Sequence, residues 1–157
     1  MGGGQLLVDG RTNFNQQSVS NVASNTIDAA RLYDLEHQIP EQRSTLTLDY
    51  SRGDTFAGLL RFNYYDGWSS TGGLFADSSD PNYPVAYDYG STVLVDMEAR
   101  FTLGKRFTVA VGGENIFDEL PDAEQDGTLN FLGVRPALTS PFGFNGAFYY
   151  ARASVKF

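Results

Sequence analysis

The stretch Ser91-Thr92-Val93-Leu94-Val95-Asp96-Met97-Glu98-Ala99-Arg100-Phe101-Thr102-Leu103 puts Val93, Val95, Met97, Ala99, Phe101 and Leu103 at every second position. Leu94, Asp96, Glu98, Arg100 and Thr102 fill the positions between. A period of two is the mark of a β-strand with unlike faces, here one apolar and one charged. Reading outward, the same alternation recurs in five further segments. Phe107, Val109, Val111 and Gly113 oppose Thr108, Ala110, Gly112 and Glu114. From Asp54 onward, Phe56, Gly58, Leu60, Phe62 and Tyr64 oppose Ala57, Leu59, Arg61, Asn63 and Tyr65. Ser44 to Ser51 sets Leu46, Leu48 and Tyr50 against Thr45, Thr47 and Asp49. Tyr149, Ala151, Ala153, Val155 and Phe157 oppose Tyr150, Arg152, Ser154 and Lys156, and a first strand starts near Leu6.

The connections alternate in length. Arg52-Gly53-Asp54 and Gly104-Lys105-Arg106 read as tight turns, whereas Asn21 to Arg43, Gly67 to Gly90 and Asp118 to Gly146 are long, Gly/Pro/Asn/Ser-rich loops. Keeping Leu103 and Phe107 on one face requires an odd-numbered turn, so a three-residue turn with a Gly is expected there, and likewise between Ser51 and Thr55. An up-and-down meander follows, with short turns at one end and long loops at the other. Tyr50, Phe56, Phe101, Phe107 and Phe157 fall at the turn end; Tyr64, Tyr65, Trp68, Tyr89, Tyr149 and Tyr150 fall at the loop end. Two aromatic girdles are expected of strands that cross a bilayer, and a ten-residue strand tilted by about 45° spans roughly 23 Å of its thickness. A soluble β-sandwich or a lipocalin-like barrel also has two-faced strands, but it has no use for belts at both ends.

Composition narrows the classes. In 157 residues there are 12 Phe, 9 Tyr and 1 Trp, too much aromatic surface for a disordered chain. The absence of Cys excludes disulfides, thiolate metal sites and thiol nucleophiles. A net charge of −8 has the wrong sign for binding a phosphate backbone, so no nucleic acid is expected. No apolar run approaches the roughly 18 residues of a membrane helix.

The candidate chemistry is sparse. His37 is the single histidine, so a His-rich metal site is impossible; it sits in a short loop helix expected to start near Thr26, as a solvated side chain. Asp77 and Asp80 lack the spacing of a Ca²⁺ loop, and Gly104-Lys105 and Gly112-Gly113 are not phosphate loops. No catalytic residue, cofactor or metal is expected. The loop aromatics Trp68, Tyr83, Tyr87, Tyr89, Phe131, Phe142 and Phe144 offer surfaces for stacking on sugars or aromatic siderophores, or simply for anchoring and packing.

Several motifs carry a resemblance. Gly112-Gly113-Glu114-Asn115-Ile116-Phe117-Asp118-Glu119-Leu120-Pro121-Asp122 resembles the Asn-Leu-Phe-Asp…Pro box near the end of TonB-dependent outer-membrane receptors, with Asn115, Phe117, Asp118 and Pro121 at its defining positions. Ser140-Pro141-Phe142-Gly143-Phe144-Asn145-Gly146 and the strand after it are similar to that family's last extracellular loop and closing strand. Val155 and the aromatic Phe157 resemble the terminal signal read by the barrel assembly machinery, although Arg152 stands where Gly is common. Arg31-Leu32-Tyr33-Asp34-Leu35-Glu36, Pro40 and Phe62-Asn63-Tyr64-Tyr65 extend the likeness over most of the chain.

The resemblance implies an all-β, antiparallel, up-and-down transmembrane β-barrel segment in the cell outer membrane, with short periplasmic turns and long extracellular loops. About six strands are visible, whereas such receptors have about 22 and the smallest membrane barrels about 8. The expectation for residues 1–157 is therefore the C-terminal part of a receptor barrel, without plug domain or signal peptide. Its implied partners are outer-membrane lipid, the rest of the barrel and the plug, and, through that plug, the energy-coupling inner-membrane protein TonB. Its expected role is not enzymatic: it is uptake of a scarce nutrient, whether siderophore-iron, vitamin or oligosaccharide. Asp49, Arg61, Asn63, Asp96, Glu98, Arg100, Glu114 and Arg152 are the candidates for lining the lumen. The alternatives are a secreted or periplasmic β-sandwich carbohydrate-binding module and a small barrel complete in itself.

Overall fold

A computed structural model describes residues 3–22, 27–72 and 78–157, so Thr26 and Asp77 lie outside the described residues. The chain is mostly antiparallel β. In order it runs β1 (Gly4–Phe14), α1 (Ala29–His37), β2 (Gln42–Arg52), β3 (Phe56–Tyr65), β4 (Trp68–Ser70), β5 (Tyr87–Tyr89), β6 (Thr92–Leu103), β7 (Phe107–Glu114), α2 (Gly127–Phe131) and β8 (Phe148–Val155). Six strands form one sheet in the order β1-β2-β3-β6-β7-β8, a meander in which every neighbour is the next long strand; β4 and β5 make a separate hairpin. The sheet is open, with β1 and β8 as its edges.

Register makes the two faces continuous. Leu6 pairs with Tyr50 and Val8 with Leu48, Leu48 with Leu60 and Leu46 with Phe62. Leu60 then meets Met97 and Phe62 meets Val95, Ala99 meets Val111, and Val111 meets Ala151. The positions between them run Asp49 to Leu59, Arg61 to Asp96 and Ala110 to Arg152 on the other side. The apolar face is largely bare: Leu6, Val8, Met97, Val111 and Val155 each keep about half their surface open, and Val95 and Gly113 are the buried positions on it. Hollows lie instead over the polar face, one of about 460 Å³ walled by Asp9, Arg11, Thr47, Asp49 and Arg61.

The turns sit at one end of the sheet. Leu103 pairs with Phe107 across Gly104-Lys105-Arg106, as parity requires. Gly104 and Lys105 both have positive φ, 58° and 60°, and the Arg106 N–H closes the turn on the Leu103 carbonyl at 3.3 Å. The first turn is one residue further on than expected: Arg52 pairs with Phe56, and Ser51 with Ala57 rather than Thr55. The even shift leaves every side chain on its expected face. The last strand starts at Phe148 and ends at Val155, with one more ladder bond from the Lys156 N–H to the Arg106 carbonyl, 2.8 Å.

The loop end holds a buried core, built on loop aromatics for which packing was one of the expected roles. Trp68 and Tyr89 pair across β4 and β5 and stack with centroids 5.2 Å apart. Phe142 meets the indole edge-on at 6.2 Å, Ala137 completes the cluster, and Tyr87 packs against it. Helix α1 begins at Ala29, capped by the Asp28 carboxylate on the Arg31 N–H at 2.8 Å. Its buried face, Ala30 and Asp34, is laid against Thr71, whose N–H donates to Asp34 at 2.8 Å.

Gly112 is needed for its size. Tyr150, directly across from it in β8, reaches over β7 to Glu98 in β6, and a Cβ at Gly112 would lie 2.7 Å from both the Tyr150 hydroxyl and the Met97 carbonyl. Gly112→Ala is therefore expected to cost about 1–3 kcal/mol through overpacking, more than the same change at the open Gly10. Chemical denaturation of both variants in detergent, followed by Trp68 fluorescence, checks the order.

Candidate functional site

Strand alternation sets Asp49, Arg61, Asn63, Asp96, Glu98, Arg100, Glu114 and Arg152 on a single face. Two clusters form there. In the first, Thr45 donates to Asn63 at 3.2 Å, and the Asn63 amide donates to Asp96 at 2.9 Å. Arg61 stands 3.8 Å from the same carboxylate. In the second, Glu98 accepts from the Tyr150 hydroxyl at 2.7 Å and from Arg152 at 2.7 Å on both oxygens, with Arg100 3.9 Å away. Asp49 belongs to neither cluster and lines the hollow near β1. Glu114 lines a larger hollow of about 840 Å³, together with Arg61, Asn63, Asp96, Phe142 and Phe144.

These guanidinium groups are 42–63% exposed. Pairs so open to water contribute on the order of 0–1 kcal/mol each, so their chief effect is to keep the face polar and wet. The carboxylates are covered better, at 13–16% exposure, because each has two or more donors around it.

The Asn115 to Pro121 segment is a clamp at the loop end of β7. Asn115 (φ 50°) and Asp118 (φ 58°) both adopt the left-handed conformation, which Asn and Asp tolerate best among residues with a Cβ. A turn closes from the Asp118 N–H to the Asn115 carbonyl at 2.9 Å. The buried Asn115 side chain then donates to the Glu119 carbonyl (2.8 Å) and accepts from the Glu119 N–H (3.0 Å). Its backbone N–H donates to Asp96 at 3.0 Å, joining the clamp to the polar cluster of β6. Asp118 accepts from the Ala147 N–H at 2.8 Å, and the Tyr149 hydroxyl donates to the Ile116 carbonyl at 2.8 Å, which fastens the start of β8. Pro121 is buried, while Phe117 is 68% exposed.

Carboxylates hold the loop layer in the same way. Glu124, 6% exposed, accepts from the Tyr89 hydroxyl (2.8 Å) and from the Gln125 and Asp126 N–H groups (3.0 Å each). Asp126 caps α2 through the Leu129 N–H, and Asp122 takes the Gly90 N–H. Burial, and then the hydrogen bond to Glu124, push the Tyr89 phenol well above the usual tyrosine range. Burial also raises Tyr87, helped by the charge of Asp126.

Several expected roles change. Trp68 and Tyr89 are each 4% exposed and form a core, not a membrane girdle or an open stacking platform; the indole N–H is also committed to Thr139 at 3.1 Å. Tyr65 and Tyr150 lie on the polar face, which leaves Tyr64 and Tyr149 for the apolar face at the loop end. Phe14, on that face too and 75% exposed, adds a further aromatic to that end. His37 stacks on Tyr33 at 4.1 Å and bonds the Tyr33 carbonyl through Nδ1 at 2.9 Å. Among the described residues no His/Asp/Glu group is arranged to hold a metal ion. Val155 is paired in β8 and Phe157 lies fully open beyond it. Compared with family models, curated proteins and solved structures, the chain finds no significant match, so the geometry alone bears on function.

Two outcomes are expected. Asn115→Ala strips both side-chain bonds of the clamp and should lower stability by about 1–3 kcal/mol, whereas Asn115→Asp keeps the acceptor and should cost less; denaturation midpoints read this. Tyr89 stays protonated in the fold after an exposed tyrosine has ionised, so its contribution is complete below the ordinary phenol pKa of about 10 and is lost as the pH climbs past it. Tyr89→Phe should therefore flatten the alkaline fall in stability, measured by denaturation at stepped pH.

Proposed function

We propose that the chain is barrel wall: a segment of a TonB-dependent receptor in the outer membrane, taking part in uptake of a scarce nutrient. One observation carries this reading. The sheet turns an uncovered apolar face one way and a hydrogen-bonded, hollowed polar face the other, the reverse of a soluble β-layer, which hides its apolar face. Lipid would cover the first face and a water-filled lumen the second, with Arg61, Asp96, Glu98 and Arg152 facing the plug or the solute path. The chain's two tight turns lie together at one end, and the layer around Trp68 lies at the other, where outward-facing loops first meet a ligand.

The Asn115 clamp fits the same role, because it fixes the last strand where loop and wall meet. Val155 and Phe157 would present the end of β8 to the assembly machinery. Both edges, β1 and β8, have unpaired backbone groups, and in hydrocarbon each such group costs several kcal/mol. The rest of the barrel is the partner that would satisfy them. A β-sandwich module would need a second sheet over the apolar face, which the described residues do not supply, and its stacking tryptophan is buried.

The chain has no cysteine of its own, so single cysteines report cleanly. Met97→Cys and Val111→Cys, labelled with an environment-sensitive dye and reconstituted in bilayers, should be quenched by spin-labelled acyl chains. Thr47→Cys on the other face should be quenched by aqueous iodide. Iodide reaching all three sites equally would overturn the membrane reading.

A further inference from the structure

The chain's charge is divided by position. The three long connections, residues 15–41, 66–91 and 115–147, hold 13 of the 19 acidic side chains and only 2 of the 11 basic ones, Arg31 and Arg135. At the opposite end the sign is reversed. Arg52, Lys105, Arg106 and Lys156 cluster at the two tight turns and the end of β8, with Asp54 the one acidic side chain among them. All four cations are exposed, and among the described residues none lies within ion-pair distance of a carboxylate, in contrast to Arg11, Arg61, Arg100 and Arg152.

The same end holds the denser aromatic belt. Tyr50, Phe56, Phe101 and Phe107 share the apolar face there, with ring centroids 6.1 Å apart for Tyr50 and Phe56 and 5.0 Å for Phe56 and Phe101. Arg52 is informative because alternation puts it on that apolar face, one place beyond Tyr50. An arginine is tolerated on such a face only where its stem follows the apolar surface and its head reaches a polar layer. The ladder bond from the Lys156 N–H to the Arg106 carbonyl draws two more cations together just outside the belt.

We propose that this basic rim docks on the anionic phospholipid headgroups of the leaflet at the turn end, and so fixes the depth and direction in which the sheet sits. The inference rests on the membrane reading above and adds its lipid partner. A cation at an anionic bilayer surface is held through the lipid phosphates and the surface potential, an effect on the order of fivefold in partitioning per cation, screened by salt. The acidic loop layer is repelled by the same surface, so the two ends act in one sense.

The test uses the full chain diluted from denaturant onto vesicles of phosphatidylcholine alone, or of phosphatidylcholine mixed with phosphatidylglycerol, with binding read by co-flotation. The unaltered chain should partition more strongly into the mixed vesicles. Lys105→Gln with Arg106→Gln should lose on the order of tenfold or more of that preference, while Arg31→Gln with Arg135→Gln, an equal change of charge at the loop end, should keep it. Partitioning indifferent to composition, or equal loss in the two double variants, overturns the inference and leaves the membrane reading standing. No binding to either vesicle overturns both.

Discussion

A β-sheet must put every second side chain on each face, and this one spends a whole face on apolar groups that the described chain leaves largely uncovered. Leu6, Val8, Leu46, Met97 and Val111 are joined by register into one surface, so they are not stray exposed residues of the kind any soluble protein shows. Contiguous apolar surface on this scale calls for an apolar environment. The polar face, the turn geometry and the loop layer all take their meaning from which way that surface points.

The strands were legible because they are written locally. Alternation over eight to twelve residues named six strands and their faces, and parity alone placed Leu103 opposite Phe107. The sequence was silent where structure comes from contacts between distant residues. β4 and β5 are three residues each and meet across a long connection, so no periodicity could form; they exist because Trp68 and Tyr89 stack. The polar-face candidates were legible as a set, since alternation fixes a face. Their division into an Asp96 cluster and a Glu98 cluster was not, because Glu98 reaches Tyr150 across an intervening strand through a gap that only Gly112 leaves.

Carboxylates do the joining outside the sheet. Asp34, Asp118, Asp122, Glu124 and Asp126 each accept a backbone N–H from another part of the chain or from a helix start. Buried backbone donors need partners, and loops without regular ladders must find them in side chains. That accounts for how a layer so rich in negative charge is nonetheless ordered, with no buried side-chain polar atom left unpaired among the described residues. Much of the acidity that reads as solubilising in the sequence is structural.

The open edges follow the same rule of satisfied donors. An even number of strands in a meander makes the two edges run antiparallel, so β1 and β8 are already oriented to be joined by any further even number of strands, as closed outer-membrane barrels require. A strand count of five or seven would have made the edges parallel, and an up-and-down closure would then take an odd number of further strands. The Asn115 clamp bears on this directly, because β8 is an edge strand held on one side only. Asp118 on Ala147 and Tyr149 on Ile116 fix where it starts, Glu98 fixes it midway through Tyr150 and Arg152, and the Lys156 ladder bond fixes its end. An edge pinned at three heights presents its free N–H and C=O groups in a single register, the condition under which a neighbouring strand can pair without slipping.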